Sequence, residues 1–502
     1  MEQLPEPIVA TTAGRVRGTR EHGLTAWRGI PYAAPPVGEL RFRAPVPPEP
    51  WTGIRDAAVR GPVPPQRRTT AAAGAGRRTP MSEDCLTLSV LRRTRSAAPR
   101  PVMVYLHGGA FAIGSGDAPV YDGSTFVAHG DVVYVTVNYR LGALGWMDFS
   151  RYSTPERPFD SNPGLRDQIA ALTWVRDNIA AFGGDPDEVT VFGESAGGTA
   201  IAALLCTPAA RGLFARAIIE SGVIGAIYGP ERPAAWAAEF VELLGATDQT
   251  AVAALTTATA DALVDATSRL DDDAFAAQPG TRLLAPVVDG ELLPKHPLDA
   301  FRDGESNPVP LIIGTNADEG TLFQLVVRNL AATPPRIDRL FELTAPEAKE
   351  AVLAGYPAFP RRRSIAEMVT DFMFWNPAVT AASGHARVAP TWLYRFDFAT
   401  RLLRLTGLGA THTAELDFVF GRPDSLLQGV FGMLGGRRAA RAVTARMHRR
   451  WLRFASTGTV GDDWPRYDAE RRLTLLIDEQ DRVEPDPRSA MRRAWESWRP
   501  YR

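Results

Sequence analysis

Residues 189–198 read Val-Thr-Val-Phe-Gly-Glu-Ser-Ala-Gly-Gly, a strand-forming run followed by a G-x-S-x-G pattern centred on Ser195. The two glycines permit a sharp strand-to-helix turn, which exposes the serine Oγ at the carboxyl edge of a parallel sheet. The pattern occurs once in the chain, and residues 199–205 after it form a good helix start. This context favours a nucleophilic serine over a structural turn.

The apolar pattern along the rest of the chain predicts an α/β fold. Short apolar runs alternate with helical patterns such as residues 165–175, which is typical of parallel βαβ units. We expect one domain over residues 1–502, with a mostly parallel central sheet flanked by helices. Helical insertions are expected at roughly 230–275 and 320–390. Predicted strands cover 102–106, 132–137, 189–192, 215–219, 309–313 and 392–396.

Composition restricts the function classes. Apolar residues make up 45% of the chain, charged residues make up 23%, and the formal net charge is −1. A chain this close to neutral has no overall field that would recruit nucleic acid or an anionic membrane. No apolar run has the length of a membrane span, and the first residues lack the basic and apolar regions of a secretory signal. We expect a soluble, cytoplasmic protein without nucleic acid or membrane partners, whose oligomeric state no pattern encodes.

The two cysteines, Cys85 and Cys206, lie far apart in the sequence. Neither has neighbours at zinc-ligand spacing, and a single possible bridge does not make a disulfide framework. We therefore expect no metal site, and the chemistry predicted below requires no organic cofactor.

A serine hydroxyl becomes a good nucleophile when a base takes its proton and an acid fixes the tautomer of that base. In enzymes built around this turn, the acid and then the histidine follow the serine in the chain. Of the four later histidines, His296 lies in a predicted surface turn and His385 in a predicted helix. His448 lies on a predicted solvated face of an Arg-rich helix. His412 lies in a glycine-containing loop after the last predicted strand, so we predict it as the base, with a capping or core histidine as the alternative.

The acid is expected on a loop after a strand that lies between the serine and the base. Residues 311–320 supply a strand, its turn and two adjacent carboxylates, Asp318 and Glu319. Either carboxylate has the chemistry to orient the imidazole, and both are also suited to capping the following helix. The residues alone leave this choice open.

A glycine-rich loop follows the first of the predicted strands, where residues 107–111 read His-Gly-Gly-Ala-Phe. Adjacent glycines leave backbone N–H groups unshielded, and such a loop is the expected partner of the N–H group after the nucleophile. We predict Gly109, Ala110 and Ala196 as donors to the oxyanion of the tetrahedral intermediate. His107 precedes the serine, and we expect it to pack beneath the loop.

Five further motifs extend along the chain: residues 27–45 (Trp-Arg-Gly-Ile-Pro-Tyr-Ala-Ala-Pro-Pro-Val-Gly-Glu-Leu-Arg-Phe-Arg-Ala-Pro), 83–86 (Glu-Asp-Cys-Leu), 138–142 (Asn-Tyr-Arg-Leu-Gly), 162–168 (Asn-Pro-Gly-Leu-Arg-Asp-Gln) and 182–186 (Phe-Gly-Gly-Asp-Pro). With these motifs the chain resembles the type-B carboxylesterases, which include bacterial para-nitrobenzyl esterases and animal cholinesterases. Several long motifs in the same order are far more specific than G-x-S-x-G alone. The resemblance implies an α/β-hydrolase fold with helical insertions that form a gorge or cap.

The resemblance also implies roles for individual residues. By it, Glu319 is the triad acid and His412 is the base. It places Glu194 and Ser221 near the triad, with Glu194 contributing to the electrostatics around the imidazolium. It further implies two structural ion pairs, Arg41–Glu83 and Arg140–Asp167.

The chain departs from the secreted animal relatives at one cysteine. In those proteins the cysteine of the Glu-Asp-Cys-Leu motif is bridged to an upstream cysteine, but residues 1–84 here contain none. Cys85 is therefore expected to be a buried free thiol. The loop that the bridge would close, roughly 60–82, contains an Ala/Gly-rich run, and we predict that it is a mobile rim of the substrate gorge.

Together these features predict a serine hydrolase that cleaves a small-molecule carboxylic ester through an acyl-enzyme. The alternatives are a non-catalytic binding or adhesion protein on the same fold, and a lipase, peptidase, thioesterase or acyltransferase that uses the same triad. Acyl length, alcohol group and stereochemistry are not encoded in any motif. Candidate walls of an aromatic-rich pocket are Phe111, Trp146, Phe323, Phe372, Phe374, Trp375 and Leu408.

Overall fold

The computed structural model describes residues 6–69, 73–95, 99–327, 331–425, 429–430 and 432–498. Its centre is an eleven-stranded sheet of order β3-β4-β6-β8-β7-β9-β10-β11-β12-β13-β14, beside a small sheet of β1, β2 and β5. The strands are β1 Ile8–Ala10, β2 Arg15–Arg17, β3 Thr19–Glu21, β4 Leu24–Pro31, β5 Ile54–Asp56, β6 Thr87–Arg93, β7 Arg100–Leu106, β8 Val133–Val137, β9 Gly184–Glu194, β10 Arg216–Glu220, β11 Leu311–Asn316, β12 Thr391–Phe396, β13 Leu473–Ile477 and β14 Arg482–Pro485.

Seven neighbouring strands, from β8 through β7 and β9 to β13, pair in parallel. Antiparallel pairing occurs toward the two edges of the sheet, between β3, β4, β6 and β8 and between β13 and β14. Strands such as β8, β10 and β11 are buried along their whole length, because helices cover both faces of a parallel sheet. The predicted mostly parallel α/β sheet is confirmed.

Helices cover both faces of the sheet and fill the long connections after β10 and β11. Helix α3 covers the stretch predicted at 165–175. Helices α5 to α7 lie in the first predicted insertion, and α9 to α13 lie in the second. The helices are α1 Ser124–Gly130, α2 Ala143–Trp146, α3 Pro163–Asn178, α4 Ala196–Leu205, α5 Glu231–Leu243, α6 Ala251–Thr257, α7 Ala260–Ala277, α8 Pro297–Asp303, α9 Gly320–Leu325, α10 Pro334–Leu343, α11 Lys349–Ala354, α12 Arg362–Thr370, α13 Asn376–His385, α14 Arg401–Leu405, α15 Leu416–Val419, α16 Arg437–Thr457 and α17 Ser489–Ala494, with a π-helical turn at Asp371–Trp375.

The core divides into layers on the two faces of the sheet. Along β7, Val102 and Val104 belong to the layer beneath α3 and α4, whereas Met103 and Tyr105 belong to the layer beneath α1 and α16. This alternation follows from the two-residue period of a strand. None of the described helices combines the length and the apolarity needed to cross a membrane.

Both ion pairs implied by the family resemblance are present. Arg140 lies after β8 and donates from Nη2 to Asp167 Oδ1 at 2.6 Å and from Nε to Oδ2 at 2.8 Å, with both side chains buried. Arg41 donates to both carboxylate oxygens of Glu83 and to three backbone carbonyls at the C-terminal end of α6. The first pair fixes α3 against the chain that follows β8.

Candidate active site

The backbone turns sharply at the serine between β9 and α4. Ser195 has φ +57° and ψ −118°, a conformation that L-residues rarely adopt, and its N–H donates to the carbonyl of Glu220 at 2.8 Å. The flanking glycines are required by close approach: a Cβ on Gly193 would lie 2.5 Å, and one on Gly197 2.0 Å, from the Leu106 carbonyl oxygen. The predicted strand-to-helix turn is therefore present.

Three side chains predicted from the sequence meet at this turn. Ser195 Oγ lies 2.9 Å from His412 Nε2, and His412 Nδ1 lies 2.6 Å from Glu319 Oε2. The other oxygen of Glu319 accepts the Asn316 N–H at 2.7 Å, which holds the carboxylate in place. Glu319 is fully buried, and His412 is 5% exposed. The arrangement has the form of a nucleophile, a base and an orienting acid.

The structure distinguishes Asp318 from Glu319, the two candidates for the triad acid. Glu319 reaches the imidazole, whereas Asp318 Oδ2 accepts the Ala410 N–H at 3.0 Å and is partly exposed. Neither side chain caps the helix that follows.

Buried carboxylates set the charge around His412. Glu194 Oε1 lies 3.3 Å from His412 Nε2, on the side away from Glu319. Burial disfavours the charged imidazole, but Glu194 and Glu319 outweigh it and raise the pKa of His412 to about 9. A protonated imidazole is thus stabilised in this site, as the transfer of a proton from Ser195 requires.

The glycine-rich loop after β7 lies against the serine. Gly109 has φ +117° and Ala110 has φ +56°. A Cβ on Gly109 would lie 2.0 Å from the Ile113 carbonyl oxygen, so this loop conformation requires glycine there. Within the described parts of the chain, no residue accepts a hydrogen bond from the N–H groups of Gly109, Ala110 and Ala196, and all three residues line the same cavity as Ser195.

The other four histidines weighed in the sequence analysis are buried and make structural contacts. His107 is buried beneath the loop as expected, where it stacks on Tyr139 with ring centroids 4.3 Å apart. His385 lies in α13 as predicted and contacts Ser306 and the Val309 carbonyl. Two expectations were wrong: His296 is buried at the start of α8, where Nδ1 accepts the Leu298 N–H, and His448 is buried on the inner face of α16 against the Val419 carbonyl.

A cavity of about 700 Å³ opens above the serine, with mainly apolar walls. Five of the predicted wall residues line it: Phe111, Phe323, Phe372, Phe374 and Leu408. Phe323 and Phe374 stack on each other and pack against the His412 ring, with centroids 5.5 Å and 5.0 Å away.

Two predicted wall residues do not line this cavity. Trp146 lies behind Phe111, with ring centroids 3.8 Å apart, and donates to the Arg140 carbonyl at 2.7 Å. Trp375 is 1% exposed and points into the core from the π-helical turn that presents Phe374 to the cavity. These aromatic side chains serve packing.

Glu415, which no sequence pattern singled out, links the groups around the triad. Ser221 Oγ donates to Glu415 Oε1 at 3.2 Å, and the Asn316 side chain donates to Glu415 Oε2. Ser221, which was expected near the triad, is therefore connected to it indirectly. It bonds to Glu415, Glu415 accepts from the Asn316 side chain, and the Asn316 backbone N–H donates to Glu319. In the sequence, the only signal for Glu415 is its position three residues after His412.

Cys85 is a buried free thiol, as expected. In the 60–82 loop, Gln66 accepts hydrogen bonds from the Ala75 N–H at 3.1 Å and the Gly114 N–H at 2.8 Å, and Ala73 lines the cavity. Residues 70–72 of the predicted mobile run lie outside the described residues, so the mobility of this loop stays a prediction. No group of three or more His, Cys, Asp or Glu side chains suited to a metal ion occurs among the described residues.

Comparisons with known proteins agree with this geometry. A model of the carboxylesterase family matches residues 5–495. Para-nitrobenzyl esterase of Bacillus subtilis (strain 168) is 40% identical over 97% of this chain and 97% of its own length. Phenmedipham hydrolase of Pseudarthrobacter oxydans is 34% identical over 95% of this chain and 96% of its own. A solved PNB esterase structure superposes with a TM-score of 0.88 at 40% identity, over 98% of this chain and 99% of that one.

The chain therefore belongs to the carboxylesterase family. The predicted family, the α/β-hydrolase fold and the activity of a serine ester hydrolase are confirmed, and the family acts on small-molecule esters. The non-catalytic alternative is not favoured.

Proposed function

We propose that Ser195, His412 and Glu319 carry out the hydrolysis. Ser195 Oγ attacks the ester carbonyl while His412 Nε2 takes its proton and returns it to the leaving alcohol. Glu319 fixes the proton of His412 on Nδ1 and stabilises the imidazolium. Water then attacks the acyl-enzyme by the same route and releases the acid. The continuous contact from Ser195 Oγ through the imidazole to Glu319 Oε2 carries this proposal.

The N–H groups of Gly109, Ala110 and Ala196 are the proposed donors to the oxyanion. They are engaged with no other described residue, and they lie beside the serine on a loop and a helix start whose backbone is fixed. Donors preorganised in this way stabilise the negative charge that develops on the carbonyl oxygen in the transition state.

We propose esters of aromatic or bulky apolar alcohols as the substrate class. Because His412 returns the proton to the leaving alcohol, the alcohol group must lie next to its ring. That position is bounded by Phe323 and Phe374. The cavity has room for a drug-sized ester. The name of the Bacillus relative, para-nitrobenzyl esterase, fits an aromatic alcohol group.

Acetate esters that differ only in the alcohol would test this placement. Phe374→Ala should lower kcat/KM for benzyl acetate relative to ethyl acetate about 10- to 100-fold, the value of one aromatic contact. Phe372→Ala is the matched control, because Phe372 lines the same cavity and makes no ring contact with His412. An unchanged benzyl-to-ethyl ratio in Phe374→Ala would place the alcohol elsewhere.

Labelling by an organophosphonate would test the nucleophile independently of any ester. We expect one adduct per chain, on the peptide that contains Ser195, since the phosphonate reports an activated serine. A protein that hydrolyses esters without forming this adduct would use another group as its nucleophile.

The expected lack of nucleic acid and membrane partners, and the cytoplasmic location, stay predictions.

A further inference from the structure

Four glutamates meet under the catalytic histidine. Glu194 ends β9, Glu220 ends β10, Glu319 follows β11, and Glu415 follows His412 in the same loop. All four are at most 1% exposed. Among the described residues, His412 is the only ion-pair partner of any of them. Of these four, the imidazole contacts only Glu194 and Glu319, so the described residues supply one cation for four buried carboxyl groups, and burying several uncompensated negative charges is prohibitive.

Strand register brings two of these groups side by side. Glu194 and Glu220 are partners in the parallel pairing of β9 with β10, so their side chains leave the sheet on the same face. Adjacent like charges on one face of a sheet repel, and desolvation strengthens this repulsion. At least one carboxyl group of this pair must therefore keep its proton.

Glu220 differs from its neighbour Glu194 because no cation among the described residues lies beside it. Glu194 Oε1 also lacks a hydrogen-bond partner among the described residues, and burial raises the pKa of Glu194 well above its ordinary value, but this oxygen lies 3.3 Å from His412 Nε2. Glu319 accepts from a backbone N–H and the imidazole, and Glu415 accepts from Ser221 and Asn316. Glu220 has one donor, the indole of Trp451 on α16 at 2.6 Å, and its Oε2 is buried without a partner among the described residues. Carboxyl groups with few donors hold their protons most strongly.

The surroundings of Glu220 contain no compensating cation within the described chain. Burial raises the pKa of Glu220 to about 8; the charge of Glu415 adds to this rise, and the indole N–H opposes it. The titratable groups that interact electrostatically with Glu220 are acids or phenols: Glu194 on β9, Tyr105 on β7, Tyr134 on β8, Tyr394 on β12 and Glu415 in the loop.

We propose that Glu220 is a positioning residue that works as a neutral carboxylic acid and thereby limits the negative charge around His412. Each further ionised carboxylate would stabilise the imidazolium, and an imidazolium cannot take the proton of Ser195. A neutral Glu220 avoids a further rise in the pKa of His412 and keeps the hydrogen bond to Trp451. This inference rests on the role proposed above for His412.

Infrared spectroscopy of the full-length protein reads the proton on Glu220 directly. At neutral pH the wild-type spectrum minus that of Glu220→Gln should contain the carbonyl stretch of a protonated carboxylic acid. This band should vanish as the pH rises past about 8. Glu188→Gln is the matched control, because Glu188 on β9 is ion-paired with Arg216 and should lose no such band. The absence of the band from the Glu220→Gln difference would overturn the proposal.

Trp451→Phe gives a second spectroscopic test that does not depend on the folding of Glu220→Gln. Removing the indole donor destabilises the charged form, so the carboxylic-acid band of Trp451→Phe should persist to higher pH than in the wild type. A band that disappears at the same pH or at lower pH would contradict the assignment to Glu220.

The pH profile of kcat/KM for para-nitrophenyl acetate supplies the functional readout. Below about pH 7.5, where Glu220 keeps its proton, kcat/KM of Glu220→Gln on the acid limb should equal that of the wild type, because the amide imitates a neutral acid. A variant about threefold or more faster than the wild type in this range would mean that a charge had been removed and the pKa of His412 lowered by about half a unit, and would refute the proposal. The infrared band reports the proton on Glu220 and does not depend on catalysis. It can therefore be interpreted even if Ser195 proves dispensable, so failure of the proposed triad and failure of this inference are distinguishable.

Discussion

Replacing the proposed triad acid, Glu319→Gln, perturbs one contact of the site. The carboxylate accepts the Nδ1–H of His412 at 2.6 Å in a fully buried position, and an amide of the same shape removes its charge. The amide NH₂ group can also donate to Nδ1, which would move the imidazole proton to Nε2. Ser195 would then face a donor where it needs an acceptor.

The magnitude follows from that distance. With an effective dielectric constant of about 20, two unit charges 2.6 Å apart interact by about 6 kcal/mol. The acid-to-amide change in trypsin-like triads lowers kcat about 10⁴-fold, which corresponds to about 5.5 kcal/mol. We therefore expect kcat of Glu319→Gln to fall about 10⁴-fold, with a much smaller change in KM.

Steady-state hydrolysis of para-nitrophenyl acetate would measure this loss. Asp318→Asn is the matched control: its side-chain oxygen can still accept the Ala410 N–H, so its rate should stay within about threefold of the wild type. Retention of more than about one tenth of kcat in Glu319→Gln would refute the reasoning. A large loss in Asp318→Asn instead would show that the neighbouring carboxylate is the acid.

Three other perturbations test separate parts of the account. The acid limb of kcat/KM should titrate with one proton and with a midpoint above 6.5, the ordinary pKa of histidine. Buried carboxylates raise the pKa of His412 to about 9 against the effect of burial, and the protonated ring cannot act as a base. A midpoint below 6.5 would contradict this prediction. Gly109→Ala should lower kcat about 10²- to 10³-fold by displacing an oxyanion donor, so wild-type turnover would exclude that role. Asp167→Asn should lower the free energy of unfolding, measured in urea, by about 3–5 kcal/mol, because it leaves Arg140 buried without a countercharge. An unchanged urea midpoint of unfolding would show that the ion pair is dispensable.

The central strands and the serine turn could be predicted because their signals are local. A strand buried on both faces leaves a continuous apolar run, and the turn requires glycines at fixed positions. The antiparallel strands near the sheet edges gave no such signal. β3 and β14, for example, are short, half exposed and rich in charged residues, so their pairing depends on the strands beside them.

The histidines show where local patterns mislead. Arginines on α16 suggested a solvated helix face for His448, but the helix packs on the sheet through that face. Arg450 beside it is also buried, where it pairs with Asp463 and Asp481. An aromatic residue likewise does not reveal whether it faces a cavity or the core, so Trp146 could not be told apart from Phe111.

The buried carboxyl groups were the hardest part of the site to predict. Glu220 and Glu415 lie in separate segments, and the strand register and the loop after β12 bring them to the same edge of the sheet. In the sequence each is an ordinary polar neighbour of a site residue. Their significance lies in a shared burial that no local pattern contains.

The kinetics of Ser195→Ala test the central claim most directly. The variant should be purified free of contaminating esterase, and its hydrolysis of para-nitrophenyl acetate should be compared with that of the wild type. We predict that kcat falls about 10⁶-fold, as in other serine-triad knockouts, while the fold is retained. Hydrolysis at a rate near that of the wild type would contradict the assignment of Ser195 as the nucleophile.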